Sequence, residues 1–397
     1  MKMVFIQGGS RLKKDNKGNW YTDGNFTPEV WERYLSCCDE LTVILRKEDK
    51  VYDVEFAEKK FCRMLIDSRL RIIDLPDIIR PKMRLLNPIT RKNIRKIIES
   101  EVASADKVII RSCSLYTYMT YKACLKYNKP YLMEVTGFAK EGMTHHSLLG
   151  RILAGKFEQL TKELTYNAEC ATYVTQKALQ ERYPCKGKML GCSDVQLPDL
   201  SSQDNLTNRL KKINSNLNKP LKIGTAAFLD VKWKGQAIVI RALKLLKENG
   251  YSNIEYEMVG LGTGKGLKNL AKKLGVENQV KIIGACPHDK IFEWMDSIDV
   301  YVQSSYQEGL CRSIVEAMSC ACPVICSDTG GNYELIDNDF LFRCGDSKML
   351  SEKLLKMMDV NIQKEQATKN FEEAKNYQSF ILNKRREAFL KEFIQIE

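Results

Sequence analysis

Histidine is scarce in this sequence, with three residues among 397: His145, His146 and His288. This scarcity disfavours a metal site built from several histidines. The 14 cysteines are scattered and no CxxC pair occurs, so neither a zinc frame nor a thioredoxin-type pair is supported. Scattered cysteines of this kind indicate buried free thiols in a reducing compartment.

Long apolar runs are also missing. No stretch of about 18 uncharged apolar residues occurs, so the sequence predicts no membrane-spanning helix. The apolar run within the opening residues, MKMVFIQGGS, is too short for a signal peptide. Together these absences predict a cytoplasmic protein.

The length and the charge limit the expected number of domains and the kinds of ligand. A chain of 397 residues is too long for one ordinary core, so two domains are expected. Lysine and arginine number 62 against 50 acidic residues, a net charge of +12. Such an excess is compatible with nucleic acid, a phosphate-bearing ligand or an anionic membrane, and it does not choose among them.

Short apolar runs alternate with amphipathic stretches, which predicts two doubly wound α/β domains with parallel sheets. We predict an N-terminal domain at 1–198, a polar linker at 199–220 and a C-terminal domain at 221–375. A final amphipathic helix at 376–397 could cap the second domain or reach back to the first. Parallel sheets bind ligands at the C-terminal ends of their strands, so both sets of strand ends are expected to face a cleft.

One stretch near the end of the second domain carries the strongest chemical pattern, YQEGLCRSIVEAMSCACPVICSDTGG, from Tyr306 to Gly331. The backbone N–H groups before its helix favour an anion such as diphosphate. Glu308 in the loop and Glu316 in the helix could accept hydrogen bonds from sugar hydroxyls. The pattern therefore predicts a nucleotide-sugar site. Alternatively, Ser313 and Glu316 have the spacing of a helix capping box, which would explain Glu316 by helix stability.

This stretch resembles the donor site of glycosyltransferase family 4, whose members have the GT-B fold and retain the anomeric configuration. The likeness rests on two glutamates with seven residues between them, a small-residue helix, a Pro-Val-Ile strand and a Gly-Gly turn. It implies that Glu308 holds the donor sugar, that Glu316 holds the ribose, and that Lys234 contacts the diphosphate as it departs. Further donor-binding residues implied by the resemblance are Gly309, Leu310, Cys311, Arg312 and Ser313 at the sugar and distal phosphate, and Ala285 and Cys286 at the base.

The sequence departs from the family pattern at two places. Many members carry an arginine five residues before the lysine, where this chain has Leu229; Lys232 could partly replace it. Members often have a His-Asp pair after a strand of the first domain, and no histidine stands at the matching place. Glu134, His145 or His146 could take that acceptor-side role, or the role could be absent. Gly24 loosely resembles the family's glycine loop near the acceptor.

A basic region in the first domain suggests a location for the acceptor. Nine basic residues lie between Arg69 and Lys96, and ITRKNIRKIIES reads as a basic amphipathic helix. This helix has either a solvated face or a face that attaches to an anionic membrane. Membrane attachment would suit a lipid-diphosphate-linked acceptor. Other stretches resemble the capsule and surface-polysaccharide branch of the family.

The combined expectation is a metal-independent, retaining hexosyltransferase that needs no cofactor. It would move a hexose-type sugar from a nucleotide-diphosphate donor, with a UDP-sugar favoured, to a surface or capsular polysaccharide acceptor. Asp337-Asn-Asp339 spells a metal-binding triplet of another fold, but its position indicates an ordinary turn. The alternatives are a degenerate sugar-binding subunit without turnover, a GT-B epimerase, and a dinucleotide oxidoreductase suggested by GLGTGKG at Gly260 to Gly266.

Overall fold

The computed structural model describes residues 1–22, 26–79, 84, 86–216 and 219–396. The chain divides into two compact units. Unit 1 comprises Met1–Tyr173, Gln180–Gly191 and Arg385–Glu397, and unit 2 comprises Val174–Leu179 and Cys192–Lys384. Within the described ranges, no helix combines the length and the apolar character that crossing a membrane requires.

Unit 1 is built on a sheet with nine strands among its described residues. They are β1 Lys2–Asp15, β2 Trp20–Thr22, β3 Glu40–Tyr52, β4 Cys62–Arg63, β5 Leu70–Pro76, β6 Lys107–Arg111, β7 Tyr131–Val135, β8 Cys170–Tyr173 and β9 Lys188–Gly191. Seven of them run parallel in the order β5-β3-β1-β6-β7-β8-β9. The short strands β2 and β4 pair antiparallel beside the end of β1, an addition that the parallel pattern did not predict.

The described part of this half of the chain also contains seven α-helices. They are α1 Pro28–Leu35, α2 Val54–Lys60, α3 Pro88–Ser104, α4 Leu115–Tyr127, α5 Ala139–His146, α6 Leu148–Tyr166 and α7 Ala178–Arg182. Helix α1 begins with proline at its first position, which is pre-organised for a helix. Its buried Trp31 and Tyr34 pack on Phe5 of β1, with ring centroids 5.4 Å apart in both pairs. These three aromatic side chains belong to a hydrophobic core cluster of unit 1.

Unit 2 has the regular strand–helix alternation that the sequence predicts. Its strands are β10 Leu221–Ala226, β11 Ile254–Val259, β12 Val280–Gly284, β13 Val300–Gln303, β14 Val324–Ser327 and β15 Leu341–Phe342. Its helices are α8 Asp204–Ser215, α9 Gln236–Glu248, α10 Lys265–Lys273, α11 His288–Ser297, α12 Arg312–Ser319, α13 Ser347–Lys356 and α14 Val360–Ala374. The strands run parallel in the order β12-β11-β10-β13-β14-β15. The predicted fold class, doubly wound α/β with parallel sheets, is therefore confirmed.

The segment predicted as a linker at 199–220 is not an extended connection. It contains α8, which groups with unit 2. Arg209 of α8 is buried, and its guanidinium donates to the carbonyls of Met295, Ile298 and Cys320. A polar composition indicated a linker because sequence alone does not show that an arginine will pair with carbonyl groups at the ends of neighbouring helices.

The final helix, α15, spans Ser379–Ile394. It begins in unit 2, and its residues from Arg385 onward group with unit 1. Phe389, Leu390 and Phe393 lie in the hydrophobic core of unit 1. Phe380, the second residue of the same helix, is 60% exposed.

Candidate active site

A cavity of about 490 Å³ lies in unit 2 at the C-terminal ends of the strands. Because neighbouring parallel strands end at the same edge, this edge gathers the loops that follow β10, β11, β12 and β13. The cavity is lined by Ala226, Ala227, Phe228, Lys234, Val259, Gly260, Leu261, Ala285, Cys286, Ile291, Glu308, Leu310, Cys311, Arg312, Ser313 and Glu316. Nine of the eleven donor-side residues singled out from the sequence are among them.

The turn that carries Lys234 packs tightly on the end of β13. Tyr306 N–H donates to the Trp233 carbonyl at 2.8 Å. Gly235 has a φ of +73°, and a Cβ there would lie 1.8 Å from the carbonyl oxygen of Ser304. Only glycine permits this backbone approach without strain. The approach brings Lys234 beside Glu308, although 74 positions separate them in the sequence.

Lys234 and Glu308 form the central ion pair of the cavity, with Nζ 2.6 Å from Oε1. Their side chains are 22% and 12% exposed, so the pair is poorly screened by water. Burial acts to lower the pKa of Lys234, but the charge and hydrogen bond of Glu308, together with Cys311, act to raise it, and the pKa lies above its ordinary value of 10.5. Lys234 therefore carries a positive charge at the edge where an anionic ligand would enter.

The Gly-Gly turn after β14 supports the loop that carries Glu308. Gly330 has a φ of +61°, and a Cβ there would lie 2.3 Å from the Glu308 carbonyl oxygen. Gly331 N–H donates to the Gly309 carbonyl at 2.7 Å. The turn therefore packs directly against the backbone of the glutamate loop, which explains why the two glycines follow it so closely in the sequence.

Helix α12 presents Glu316 to the cavity. The N-cap of α12 is Cys311, and no side chain caps the helix. The capping box of Ser313 and Glu316 is therefore wrong, because Ser313 lies inside the helix as its second residue instead of at the cap. Helix capping does not account for Glu316, which lines the cavity one turn after the helix begins.

Cys311 lies in the same wall without being a reactive thiol. Burial, followed by the charge of Glu308, raises the pKa of Cys311 to about 12. Since the thiolate is the nucleophilic form, the thiol is unreactive at neutral pH. Its Sγ lies 3.2 Å from Ser313 Oγ, so Cys311 contributes packing and one weak hydrogen bond at the start of α12.

Two of the predicted donor-side residues do not line the cavity. Gly309 lies in the glutamate loop, where its carbonyl accepts the hydrogen bond from Gly331. Lys232 is exposed and is not among the residues that line the cavity. Leu229, at the arginine's own position, is 3% exposed and packed as an apolar residue.

Part of the cavity wall was not predicted from the sequence. Phe228, Val259, Leu261 and Ile291 supply apolar surface, and Phe228 is 55% exposed at the cavity. Three of these four residues end or follow a predicted strand. The rule that ligands bind beyond strand ends would have found those three, whereas Ile291 lies in α11 and needed the tertiary structure.

The acceptor-side candidates have different outcomes. Glu134 is buried in unit 1, where Oε2 lies 2.6 Å from Arg111 Nη1 and Oε1 accepts from the Tyr34 hydroxyl at 2.7 Å. Both carboxylate oxygens thus have partners inside the unit, which indicates a structural ion pair. His145 has an exposed side chain on α5, and Gly24 lies outside the described residues.

The Asp-Asn-Asp triplet has structural contacts. Asp337 accepts from Asp339 N–H at 3.1 Å and caps a short 3-10 turn. Asp339 pairs with Lys356 at 2.7 Å. Across the described part of the chain, no group of three or more His, Cys, Asp and Glu side chains is placed to hold a metal ion.

Comparison with known proteins identifies the family. Residues 208–374 match the family model described as glycosyl transferases group 1. The chain is 31% identical over 382 residues to protein CapJ of Staphylococcus aureus, across 89% of this chain and 87% of that protein. It is also 31% identical over 156 residues to the amylovoran biosynthesis glycosyltransferase AmsK of Erwinia amylovora, across 37% and 38% of the two chains.

A solved structure supports the same fold. The crystal structure of Anabaena Alr3699/HepE in complex with UDP superposes with a TM-score of 0.64 at 17% identity, across 99% of this chain and 100% of that one. At this identity the likeness shows the fold. Together with the family match and the near full-length relative, it shows that the chain belongs to the group 1 glycosyl transferases and has the GT-B fold.

Proposed function

We propose that this glycosyltransferase moves a hexose-type sugar from a nucleotide-diphosphate donor to a surface or capsular polysaccharide acceptor, with retention of configuration. The observation that carries the proposal is the cavity of unit 2, which brings Lys234, Glu308, Glu316 and the start of α12 together. A UDP-sugar is the favoured donor. HepE was crystallised with UDP, and AmsK acts in amylovoran biosynthesis, which supports this donor and this class of product.

The chemistry of the wall suits a nucleotide sugar. The charge of Lys234 and the N-terminus of α12 would offset the diphosphate. Glu308 and Glu316 would accept hydrogen bonds from the hydroxyls of the sugar and the ribose. Apolar side chains such as Phe228 and Ile291 offer surface to the base. In this assignment Lys234 would offset the negative charge of the diphosphate, as a metal ion does in metal-dependent glycosyltransferases. Neither a metal nor a cofactor is then required.

The assignment also suggests how the bond to the sugar breaks. As it does, negative charge grows on the leaving diphosphate, and Lys234 would stabilise that charge more strongly than the ground state. In this assignment Glu308, which is paired with Lys234 at 2.6 Å, would orient the sugar, and no protein nucleophile is required. The resemblance to family 4 supports transfer on one face of the sugar, with the leaving diphosphate accepting the proton of the incoming hydroxyl.

Nucleotide binding tests the donor site directly. We expect one of UDP, GDP, ADP and CDP, with UDP favoured, to bind the purified protein without added metal. Glu316→Ala should weaken that binding about tenfold or more, because it removes a charged acceptor from the ribose. Isothermal titration calorimetry measures the dissociation constants of the wild type and of Glu316→Ala. Glu352→Ala, an exposed glutamate of α13, is the matched control and should bind like the wild type.

A second candidate, a sugar-binding subunit without turnover, is favoured by Leu229, which is buried where many members have an arginine. It predicts nucleotide binding without release of free nucleotide from any UDP-sugar tested with bacterial glycolipid acceptors. Measured turnover would exclude it. Binding of none of the four nucleotides would contradict the donor site.

We also propose that unit 1 contacts an anionic membrane through α3, on the cytoplasmic face where lipid-linked acceptors are assembled. Leu86 and Ile89 at the start of this helix are 81% and 70% exposed. Beside them, Arg91, Lys92, Arg95 and Lys96 are exposed. Other basic residues of the region are in ion pairs, since Arg69 pairs with Asp67, Arg71 with Glu101 and Arg84 with Asp49. Arg80 and Lys82 lie outside the described residues.

Vesicle flotation tests this surface. The protein should float with phosphatidylcholine vesicles containing roughly 30% phosphatidylglycerol and not with phosphatidylcholine alone. Replacing the four basic residues of α3 with serine should lower binding more than about tenfold, because each contributes roughly 1 kcal/mol near an anionic surface. Replacing Lys265, Lys268, Lys272 and Lys273 of α10 removes the same charge and should change binding little. Equal losses in both variants would contradict a specific surface on α3.

A further inference from the structure

We propose that Gln303 is a positioning residue that turns the Glu308 carboxylate, so that Oε2 is the oxygen offered to the donor sugar. The proposal deepens the proposed function and depends on it, because it takes Glu308 as the residue that holds the sugar. Gln303 is the last residue of β13 and is fully buried. Burying an amide is costly unless its groups are hydrogen-bonded, so the partners of this side chain matter.

The amide of Gln303 is oriented by its neighbours. Its Nε2 donates to Ser305 Oγ at 2.7 Å and to Glu308 Oε1 at 3.3 Å. An ionised carboxylate only accepts hydrogen bonds, so the NH₂ group must be the end that faces Glu308. The opposite end, Oε1, accepts from the Tyr301 hydroxyl at 2.7 Å. Burial holds the pKa of Tyr301 well above its usual range, so this hydroxyl keeps its proton and donates.

Three hydrogen bonds converge on one oxygen of Glu308. Oε1 accepts from Lys234 Nζ at 2.6 Å, from Ser305 Oγ at 2.7 Å and from Gln303 Nε2 at 3.3 Å. Ser305 Oγ accepts from Gln303 Nε2 and donates its single hydrogen to Glu308 Oε1. Each carboxylate oxygen has about two lone-pair sites, so Oε1 is saturated. The carboxylate is thereby held in one rotation about its terminal bond, and Oε2 is the oxygen that remains for a ligand hydroxyl.

The same amide also reaches α12. Ser313 Oγ, in the first turn of the helix, lies 3.5 Å from Gln303 Oε1. The Tyr301 hydroxyl contacts the end of β10, where Ala226 N–H donates to it at 3.3 Å. Gln303 therefore links Glu308 to the helix that faces the diphosphate, and it holds the sugar and phosphate ends of the site at a fixed spacing.

Two substitutions distinguish the roles of the donor end and the acceptor end of the Gln303 amide. Gln303→Glu keeps the shape and the acceptor that faces Tyr301, but it replaces the donor that faces Glu308 with a second carboxylate. Gln303→Leu removes both ends. Ser305→Ala is a milder variant that removes one donor from Oε1 and is expected to fold even if the Gln303 variants do not. Gln363→Leu controls for the loss of a buried glutamine, since Gln363 in α14 donates to the Met357 carbonyl and does not line the cavity.

Calorimetry with UDP and with UDP-glucose measures how much the sugar contributes to the binding affinity. In the Gln303 and Ser305 variants we expect the affinity for UDP to stay within about threefold of the wild type. The ratio of the affinity for UDP-glucose to the affinity for UDP should fall about tenfold or more in Gln303→Leu. The reason is that the charged Glu308 carboxylate, which would bind the sugar, is no longer held in place. In Gln303→Glu the ratio should recover as the pH falls from about 8 to about 6, since a proton shared between two close carboxylates restores a donor. A purely structural role would not produce this pH dependence.

Crystal structures of the unliganded wild type, Gln303→Leu and Ser305→Ala provide a test that needs no ligand. We expect the Glu308 carboxylate to rotate or become disordered in Gln303→Leu, and to move less in Ser305→Ala, where Lys234 and Gln303 still donate to Oε1. If Oε1 stays within about 3 Å of Lys234 Nζ and Ser305 Oγ in Gln303→Leu, Gln303 does not position Glu308 and the inference is overturned. An unchanged affinity ratio in Gln303→Leu overturns it too. If the wild type binds no nucleotide, the proposed function fails, and the crystal structures still decide whether Gln303 positions Glu308.

Discussion

Lys234→Met is expected to lower kcat about 10²–10³-fold while the protein remains folded. The methionine keeps the apolar stem of the lysine but removes the charge that would stabilise the departing diphosphate. Losing one such electrostatic group from a partly buried site typically has an effect of this size. The Glu308 carboxylate also loses its cation at 2.6 Å, which adds to the loss. Release of UDP from a UDP-sugar, followed over time with saturating donor, measures the change.

Lys244→Met is the matched control for this prediction. Lys244 belongs to the neighbouring helix α9 and also pairs with a glutamate, Glu248, at 3.3 Å, but its side chain is 43% exposed. Activity within about threefold of the wild type is expected, since exposed pairs of this kind contribute little. If Lys234→Met retained a similar activity, Lys234 would not stabilise the leaving group.

The ion pair also has a defined dependence of stability on pH. The pKa of Lys234 in the folded protein is raised above 10.5, so the pair contributes its full stability below that value. The contribution is lost as the pH rises through the folded pKa. The difference in unfolding free energy between the wild type and Lys234→Met should therefore be constant from about pH 6 to about pH 9 and shrink in stronger alkali.

Gly235→Ala is expected to destabilise unit 2 by about 2–4 kcal/mol. Alanine at a φ of +73° is strained, and its Cβ would lie 1.8 Å from the Ser304 carbonyl oxygen. Because the clash is with backbone, the turn that carries Lys234 must move away from β13. Urea unfolding followed by tryptophan fluorescence measures the loss, and Trp233 and Trp294 both report on this unit.

Gly266→Ala is the control for this prediction. It tests whether the destabilisation by Gly235→Ala comes from the surroundings of Gly235 or from replacing any glycine by alanine. Gly266 is the second residue of α10, and no atom lies within 4 Å of a Cβ added there. Alanine is expected to stabilise the protein by up to about 1 kcal/mol, because it restricts the unfolded chain and favours a helix. Equal effects at both positions would contradict the close approach of Gly235 to Ser304.

The local part of the site was predictable from the sequence. Glu308, Glu316 and the segment between them lie on one loop and the helix that follows, so short-range spacing brings them to the same wall. The parallel strand–helix alternation of unit 2 was predictable for a similar reason, since each element shows its own hydrophobic period. Glu308 and Lys234 could be proposed together only through the resemblance, because 74 positions separate them.

The predictions failed where a residue's partner is distant in the sequence. The linker prediction relied on the polar composition of 199–220, whereas Arg209 in this segment is buried in unit 2 and donates to three carbonyl groups more than 80 positions away. The capping-box alternative relied on spacing alone, whereas the loop before α12 makes Cys311 the N-cap. Glu134 was predicted for acceptor chemistry, whereas Tyr34 and Arg111 occupy both of its carboxylate oxygens in unit 1.

By itself the sequence determined the α/β class, the repeated strand–helix units of the second half and the loop that carries Glu308. These features depend on residues close together in the chain, where hydrophobic period, turn residues and spacing act directly. Only the tertiary structure decided which atoms meet: Gly235 against Ser304, Lys234 beside Glu308, and Gln303 with its amide facing that carboxylate. The physical reason is that the hydrogen bonds and ion pairs of a buried side chain depend on packing between strands that are remote in sequence, and that packing has no local sequence pattern.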